Sequence, residues 1–209
     1  MYYRIRNSAD AVIVLSEIYG ITAPIRSACN TFYDAGFDAI SPNYLSLPRS
    51  LEIHEEQLAY EHFTSVGFSS ARDNVRTLID RLRPHYNHIF IAGYSVGATT
   101  AWLLSSEENL CDGITAFYGS RIREHAAIEP KSPALLIFPR TEHSFDTHAL
   151  ARTLAENECV TTSMYEGEHG FADHRSPRHH EASTIGAHRE AVHFFNKVAK
   201  DSDNTSLPV

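Results

Sequence analysis

His88-Ile89-Phe90-Ile91-Ala92-Gly93-Tyr94-Ser95-Val96-Gly97-Ala98-Thr99-Thr100 is the stretch that decides the fold. An apolar run rich in β-branched and aromatic residues enters Gly-x-Ser-x-Gly directly, and a helix-forming segment from Ala98 to Ser105 follows at once. Strand, tight turn, helix is the setting in which this pentapeptide has chemical meaning. The turn forces its central residue into a strained conformation, the flanking glycines leave room, and the serine hydroxyl projects beyond the strand end. The backbone N–H of Val96 then faces the place where an oxyanion would form.

Working outward, apolar runs recur on both sides. Ala11–Leu15 and Ala134–Phe138 read as buried strands of a parallel sheet, and Gly113–Gly119 as a short strand between glycines. Phe37–Ser41, ended by Pro42, and Val160–Tyr165 complete the set of central strands. Between them lie helical patterns at Thr22–Ala35, Ala71–Leu82, Thr147–Asn157 and Ala187–Ala199. Pro24 fits the first of these only within its opening turn. Strands alternating with helices from end to end predict a mostly parallel sheet with helices on both faces. In such sheets ligands bind beyond the carboxyl ends of the strands. Asn43–Gly67 has no clear period; a loop of that length carries function or short helices of its own, and it is a candidate lid.

Composition narrows the function. The 209 residues, 43% hydrophobic and 21% charged, suit one globular domain over residues 1–199 with a polar, fraying tail at 200–209. A net charge of −8 argues against nucleic acid or an anionic membrane surface as the main partner. No apolar run is long enough to span a bilayer, and the polar start Met1–Asp10 lacks the order of a signal peptide. The odd, scattered Cys29, Cys111 and Cys159 point to reduced thiols and a cytoplasmic setting.

A serine nucleophile needs a base, and the base an orienting acid. On this scaffold they follow in the order serine, acid, histidine. His169 lies in Glu166-Gly167-Glu168-His169-Gly170-Phe171, just after the last strand, and is the candidate base. The loop after Phe138 offers Glu142 and Asp146 as acid. Glu142 is favoured because it lies within the loop, whereas Asp146 reads as a helix N-cap. The second oxyanion donor falls to the N–H of Ile18, in the loop Ser16–Gly20 after the first central strand. Glu17 in that loop is either beside the nucleophile or turned to solvent. Tyr19, Tyr44, Tyr94, Tyr118 and Phe171 are candidates for the pocket wall or for the core. The histidines after His169 (His174, His179, His180, His188 and His193) lack a metal-binding spacing, so no metal is expected.

The chain resembles the dienelactone hydrolase family of α/β-hydrolases. The resemblance rests on Val14-Leu15-Ser16-Glu17-Ile18-Tyr19-Gly20, Gly93–Gly97, Phe117-Tyr118-Gly119, Ser132-Pro133-Ala134-Leu135 and Tyr165–Phe171, in that order, and covers nearly all of residues 11–198. It implies an α/β-hydrolase fold without a cofactor. It also implies Ser95 as nucleophile, His169 as base, Glu142 in place of the usual aspartate, and the Ile18 and Val96 amides as oxyanion hole. Glu17 matches a family glutamate that contacts the resting nucleophile. Three departures stand out. The namesake enzyme has cysteine where this chain has Ser95. The acid loop reads Pro139-Arg140-Thr141-Glu142 rather than Gly-x-x-Asp. An arginine that holds substrate carboxylate, four residues after the histidine, is here Asp173. The expected activity is therefore cleavage of a small-molecule ester, lactone or thioester other than an anionic dienelactone, by a monomer or homodimer. Acyl transfer on the same scaffold and a non-catalytic binding role are the alternatives.

Overall fold

A computed structural model describes residues 1–205, the side chain of residue 205 excepted. Seven strands form one sheet: β1 (Tyr2–Arg4), β2 (Asp10–Leu15), β3 (Asp38–Ser41), β4 (His88–Tyr94), β5 (Gly113–Phe117), β6 (Ala134–Pro139) and β7 (Val160–Tyr165). Their spatial order is β1-β3-β2-β4-β5-β6-β7, with β1 antiparallel to β3 and every other pairing parallel. The central strands are continuous apolar runs because both of their faces are covered. In β2, Ile13 and Leu15 face one core while Val12 and Val14 face the other.

The first core lies under α2 (Glu56–Leu82), α3 (Val96–Leu104) and α4 (Thr147–Leu154). The second lies under α1 (Ala23–Asp34) and α5 (Glu181–Thr205), where Phe32, Phe37, Phe90 and Phe195 pack ring against ring. Pro24 sits in the first turn of α1, where its missing N–H costs nothing. All nine residues of α3 are buried, as a helix between the sheet and α2 must be.

Two expectations need correction. Asn43–Gly67 is not a lid: Tyr44, Leu45, Leu47 and Leu51 are buried, and the second half of the segment is the start of α2. Backbone bonds fix the loop, with Leu51 N–H donating to Tyr19 O at 2.9 Å and the Asn43 side chain bonded both ways to Leu47. The α2 helix bends at Gly67 (φ 69°, ψ 168°), and this break in period hides its first half from sequence patterning. The tail does not begin at residue 200 either, because α5 continues through the polar stretch to Thr205. Residues 206–209 of the expected tail lie outside the described residues.

The chain crosses from β3 back past β2 to β4, so the direction of sheet growth reverses between β2 and β4. Their carboxyl ends, at Leu15 and Tyr94, open a crevice at that switch point.

Candidate active site

Ser95 sits between β4 and α3 with φ 53° and ψ −112°, a conformation that costs roughly 1–3 kcal/mol for a residue with a side chain. Its own N–H is fixed to Phe117 O at 3.0 Å. The glycines on either side are required by close approach. A Cβ on Gly93 would lie 2.2 Å from Gly97 O, and one on Gly97 would lie 2.4 Å from Leu15 O. Removing both side chains lets α3 start against the ends of β2 and β4, which lifts Ser95 into the crevice.

The hydroxyl of Ser95 lies 2.9 Å from His169 Nε2. His169 Nδ1 lies 3.4 Å from Glu142 Oε2, a distance of ion pairing rather than of a short hydrogen bond. A carboxylate at Nδ1 favours the ring proton there and leaves Nε2 to accept from Ser95. Glu142 is itself held by Ser144, whose hydroxyl and N–H reach Oε1 at 3.0 and 3.3 Å. The imidazole first, and the Ser144 bonds after it, bring the Glu142 carboxyl down to about 2. Asp146 instead caps α4, accepting from Ala149 N–H at 2.9 Å.

The Val96 N–H opens α3, where no earlier carbonyl of the helix can accept it. Ile18 lies across the crevice in the loop after β2 and shares the cleft lining with Ser95 and His169. Neither amide forms a backbone hydrogen bond among the described residues.

Glu17 is turned inward. Tyr118 donates its hydroxyl to Glu17 Oε1 at 2.8 Å, and the Tyr118 ring lies 5.2 Å from that of His169. Burial raises the Glu17 pKa; the nearby Asp173 charge adds to this, while His169, Tyr118 and Arg175 oppose it. Burial also pushes the Tyr118 hydroxyl well above its ordinary value, so it remains a donor.

The cleft above Ser95 has a volume of about 190 Å³. Glu17, Ile18 and Tyr19 line it from the loop after β2, Ile53 and Glu56 from the start of α2 and the turn before it, and His169, Gly170, Asp173, Ser176, Pro177 and Arg178 from the loop after β7. Of the five candidate wall aromatics, only Tyr19 lines it. Tyr44 is a core residue whose hydroxyl donates to Ser16 O at 2.8 Å. Tyr94 packs beneath the sheet end and bonds His188 Nε2 at 2.7 Å. Phe171 is fully buried between Tyr118 and Tyr165, and Tyr118 stands behind Glu17. Asp173 was legible only as the residue in the place of the family's carboxylate-binding arginine, and Ile53, Glu56 and Arg175 were not legible as neighbours of the site. Their nearness depends on how the Asn43–Gly67 segment and the loop after His169 pack, and no local pattern encodes that.

Among the described residues, no group of three or more His, Cys, Asp or Glu side chains is placed to hold a metal ion. No described helix is long and apolar enough to cross a membrane.

An open, mostly parallel sheet with a serine raised at its switch point, a histidine after the last strand and a carboxylate after the strand before it defines the α/β-hydrolase class. The dienelactone hydrolase family model matches residues 2–199, and the chain belongs to that family of ester-hydrolysing enzymes. Protein YczH of Bacillus subtilis (strain 168), itself uncharacterised, is 36% identical over 169 residues, covering 78% of this chain and 80% of that one. Carboxymethylenebutenolidase 1 of Cupriavidus pinatubonensis is 24% identical over 203 residues, covering 90% and 86%. The crystal structure of the dienelactone hydrolase-like promiscuous phosphotriesterase P91, from metagenomic libraries, superposes with a TM-score of 0.73 at 14% identity over 90% and 86% of the two chains, which speaks to the fold alone.

Proposed function

We propose that the protein hydrolyses a small ester, lactone or thioester through an acyl-enzyme on Ser95. His169 Nε2 takes the hydroxyl proton as Ser95 Oγ attacks the substrate carbonyl. The carbonyl oxygen becomes an oxyanion held by the Ile18 and Val96 amides, each such donor typically worth about 3 kcal/mol. Glu142 stabilises the imidazolium and fixes its orientation without taking the proton. His169 then protonates the leaving oxygen or sulfur, the C–O or C–S bond breaks, and the acyl group remains on Ser95. Water, deprotonated by His169, attacks the acyl carbon; the bond to Ser95 Oγ breaks, His169 returns the proton to Oγ, and the acid is released.

The observation that carries this reading is the 2.9 Å contact between Ser95 Oγ and His169 Nε2, with Glu142 at the other ring nitrogen. The cleft, about 190 Å³, lies below the ~300–1,000 Å³ usual for drug-sized ligands, which favours a short acyl group.

Labelling with a fluorophosphonate, followed by peptide mapping, tests the nucleophile. An adduct on Ser95 that is absent from Ser95→Ala is expected. Folded wild-type protein that takes no label at Ser95 would overturn the reading in favour of a binding protein. Product analysis with a competing alcohol separates hydrolysis from acyl transfer, and free acid as the dominant product is the expected result.

A further inference from the structure

The Asp173 side chain is more than nine-tenths buried on the cleft wall, although it carries a carboxyl and lies near another, that of Glu17. What holds it there is Arg175. The Arg175 N–H and Nε donate to Asp173 Oδ1 at 2.8 and 3.1 Å, and Nη2 donates to Oδ2 at 2.8 Å. The remaining arm, Nη1, reaches Leu51 O at 3.4 Å and Glu52 Oε2 at 3.8 Å. The guanidinium also lies over the Tyr19 ring at 5.5 Å. The Nε–Nη2 edge of the fork, an edge that can grip a carboxylate with two arms, is therefore taken by Asp173, and Nη1 is turned towards Leu51 and Glu52.

The arginine of the lining itself, Arg178, is exposed at the rim and paired with Glu168 at 3.4 Å. Glu17 and Glu56 add carboxyl groups to the lining. A carboxylate on an entering acyl group would thus meet Glu17, Asp173 and Glu56 without gaining a cation. Like charges juxtaposed out of water are strongly disfavoured.

We propose that Asp173 is the specificity-determining residue of this cleft: by occupying Arg175, it restricts the enzyme to acyl groups that carry no carboxylate. The inference rests on the esterase reading above and names the substrate class within it. It assigns Asp173 and Arg175 no part in bond making. Asp173 acts by withholding a guanidinium that would otherwise make a two-armed carboxylate clamp.

Two p-nitrophenyl esters of matched length test this, the butyrate and the hemisuccinate, whose acyl group ends in a carboxylate. In wild type, kcat/KM for the butyrate should exceed that for the hemisuccinate by about tenfold or more, with the gap narrowing as salt rises. In Asp173→Asn, one charge is lost and the amide nitrogen in place of Oδ2 can no longer accept from Arg175 Nη2, which frees that arm. The hemisuccinate-to-butyrate ratio of kcat/KM should then rise about tenfold, mainly through a lower KM for the hemisuccinate. Arg175→Gln, which leaves the cleft still more negative, should move the ratio the other way. A wild-type ratio near one, or a folded Asp173→Asn with an unchanged ratio, overturns the proposal. If Asp173→Asn does not fold, the wild-type ratio and the Arg175→Gln ratio decide together. Fluorophosphonate labelling of Ser95 runs alongside. A wild type that labels and cleaves butyrate but does not discriminate fails this inference alone, whereas absent labelling fails the esterase reading itself.

Discussion

At Ser95 the backbone is held where a side chain is disfavoured, so the surrounding contacts must over-determine it. Replacing the hydroxyl removes no packing of consequence, and Ser95→Ala should keep the melting temperature while lowering kcat by about 10⁴-fold or more. Ester turnover by purified protein, read with its thermal melt, checks this. Glu142 carries the next test. Its carboxyl, brought down to about 2 by His169, stays ionised throughout the range in which the enzyme would be assayed. Glu142→Gln removes the charge at Nδ1 and should lower kcat by about 10²–10⁴-fold. Asp146→Asn touches only a helix cap and should leave kcat within about twofold. A larger loss from Asp146→Asn would transfer the acid's role. Glu17 runs the opposite way. Its pKa is raised because burial disfavours the charge, so above its unfolded value the native state bears a cost that the unfolded chain does not. Glu17→Gln keeps the Tyr118 bond through its amide oxygen and should raise the melting temperature at pH 7, with any loss of activity measuring what the carboxyl contributes there.

The elements around that residue explain what sequence reading could and could not reach. The approach of α3 to β2 is set by Gly97, where an added Cβ would meet Leu15 O at 2.4 Å and Ser16 O at 2.7 Å. Both are backbone atoms of a buried strand end and cannot swing aside. Gly97→Ala should therefore cost about 1–3 kcal/mol and shift the whole elbow, lowering both the melting temperature and the rate of Ser95 labelling. A variant that melts like wild type and labels at the wild-type rate would show that α3 can slide. The elbow was legible because the chemistry there is local: strand, glycine, serine, glycine and helix are contiguous. The central strands were legible because burial on both faces writes an unbroken apolar run. The first half of α2 was not, since it buries only Ala59 and Phe63, exposes Leu58 and Tyr60, and ends at a bend. The aromatics were visible as residues but not as wall or core, because apolar patterning reports burial and not which side of a loop is covered. Arg175 was invisible for a related reason. Its pairing with Asp173 is made within one irregular loop and fixed by Leu51, 124 residues away.

For the whole molecule, the balance of shifted groups sets how stability responds to acid. His188 is half-buried against Phe32 and Phe117 of the α1–α5 core. Its Nδ1 donates to Thr184 O at 2.8 Å, and in the neutral ring its Nε2 accepts from the Tyr94 hydroxyl at 2.7 Å. Burial lowers its pKa below the ordinary 6.5. As pH falls through about 6.5, the unfolded chain takes up a proton at this position that the native state refuses, so stability drops. Glu55 and Glu142, each brought down to about 2, and Glu107, lowered by Arg76 and Arg72, act in the same direction at lower pH. Their contribution is complete above about 4.5 and is lost as pH falls towards 2. Glu17, with its pKa raised, gains a proton on folding in acid and offsets part of the loss. The melting temperature should therefore hold between about pH 7 and 8, decline in a first step below about 6.5 and in a steeper one below about 4.5. Thermal melts across this range check the sequence of steps, and His188→Gln, whose amide oxygen can still accept from Tyr94, should lose the first step while keeping the second. A melting temperature that climbs steadily from pH 7 down to 5 would mean that Glu17, rather than His188, dominates the native proton balance.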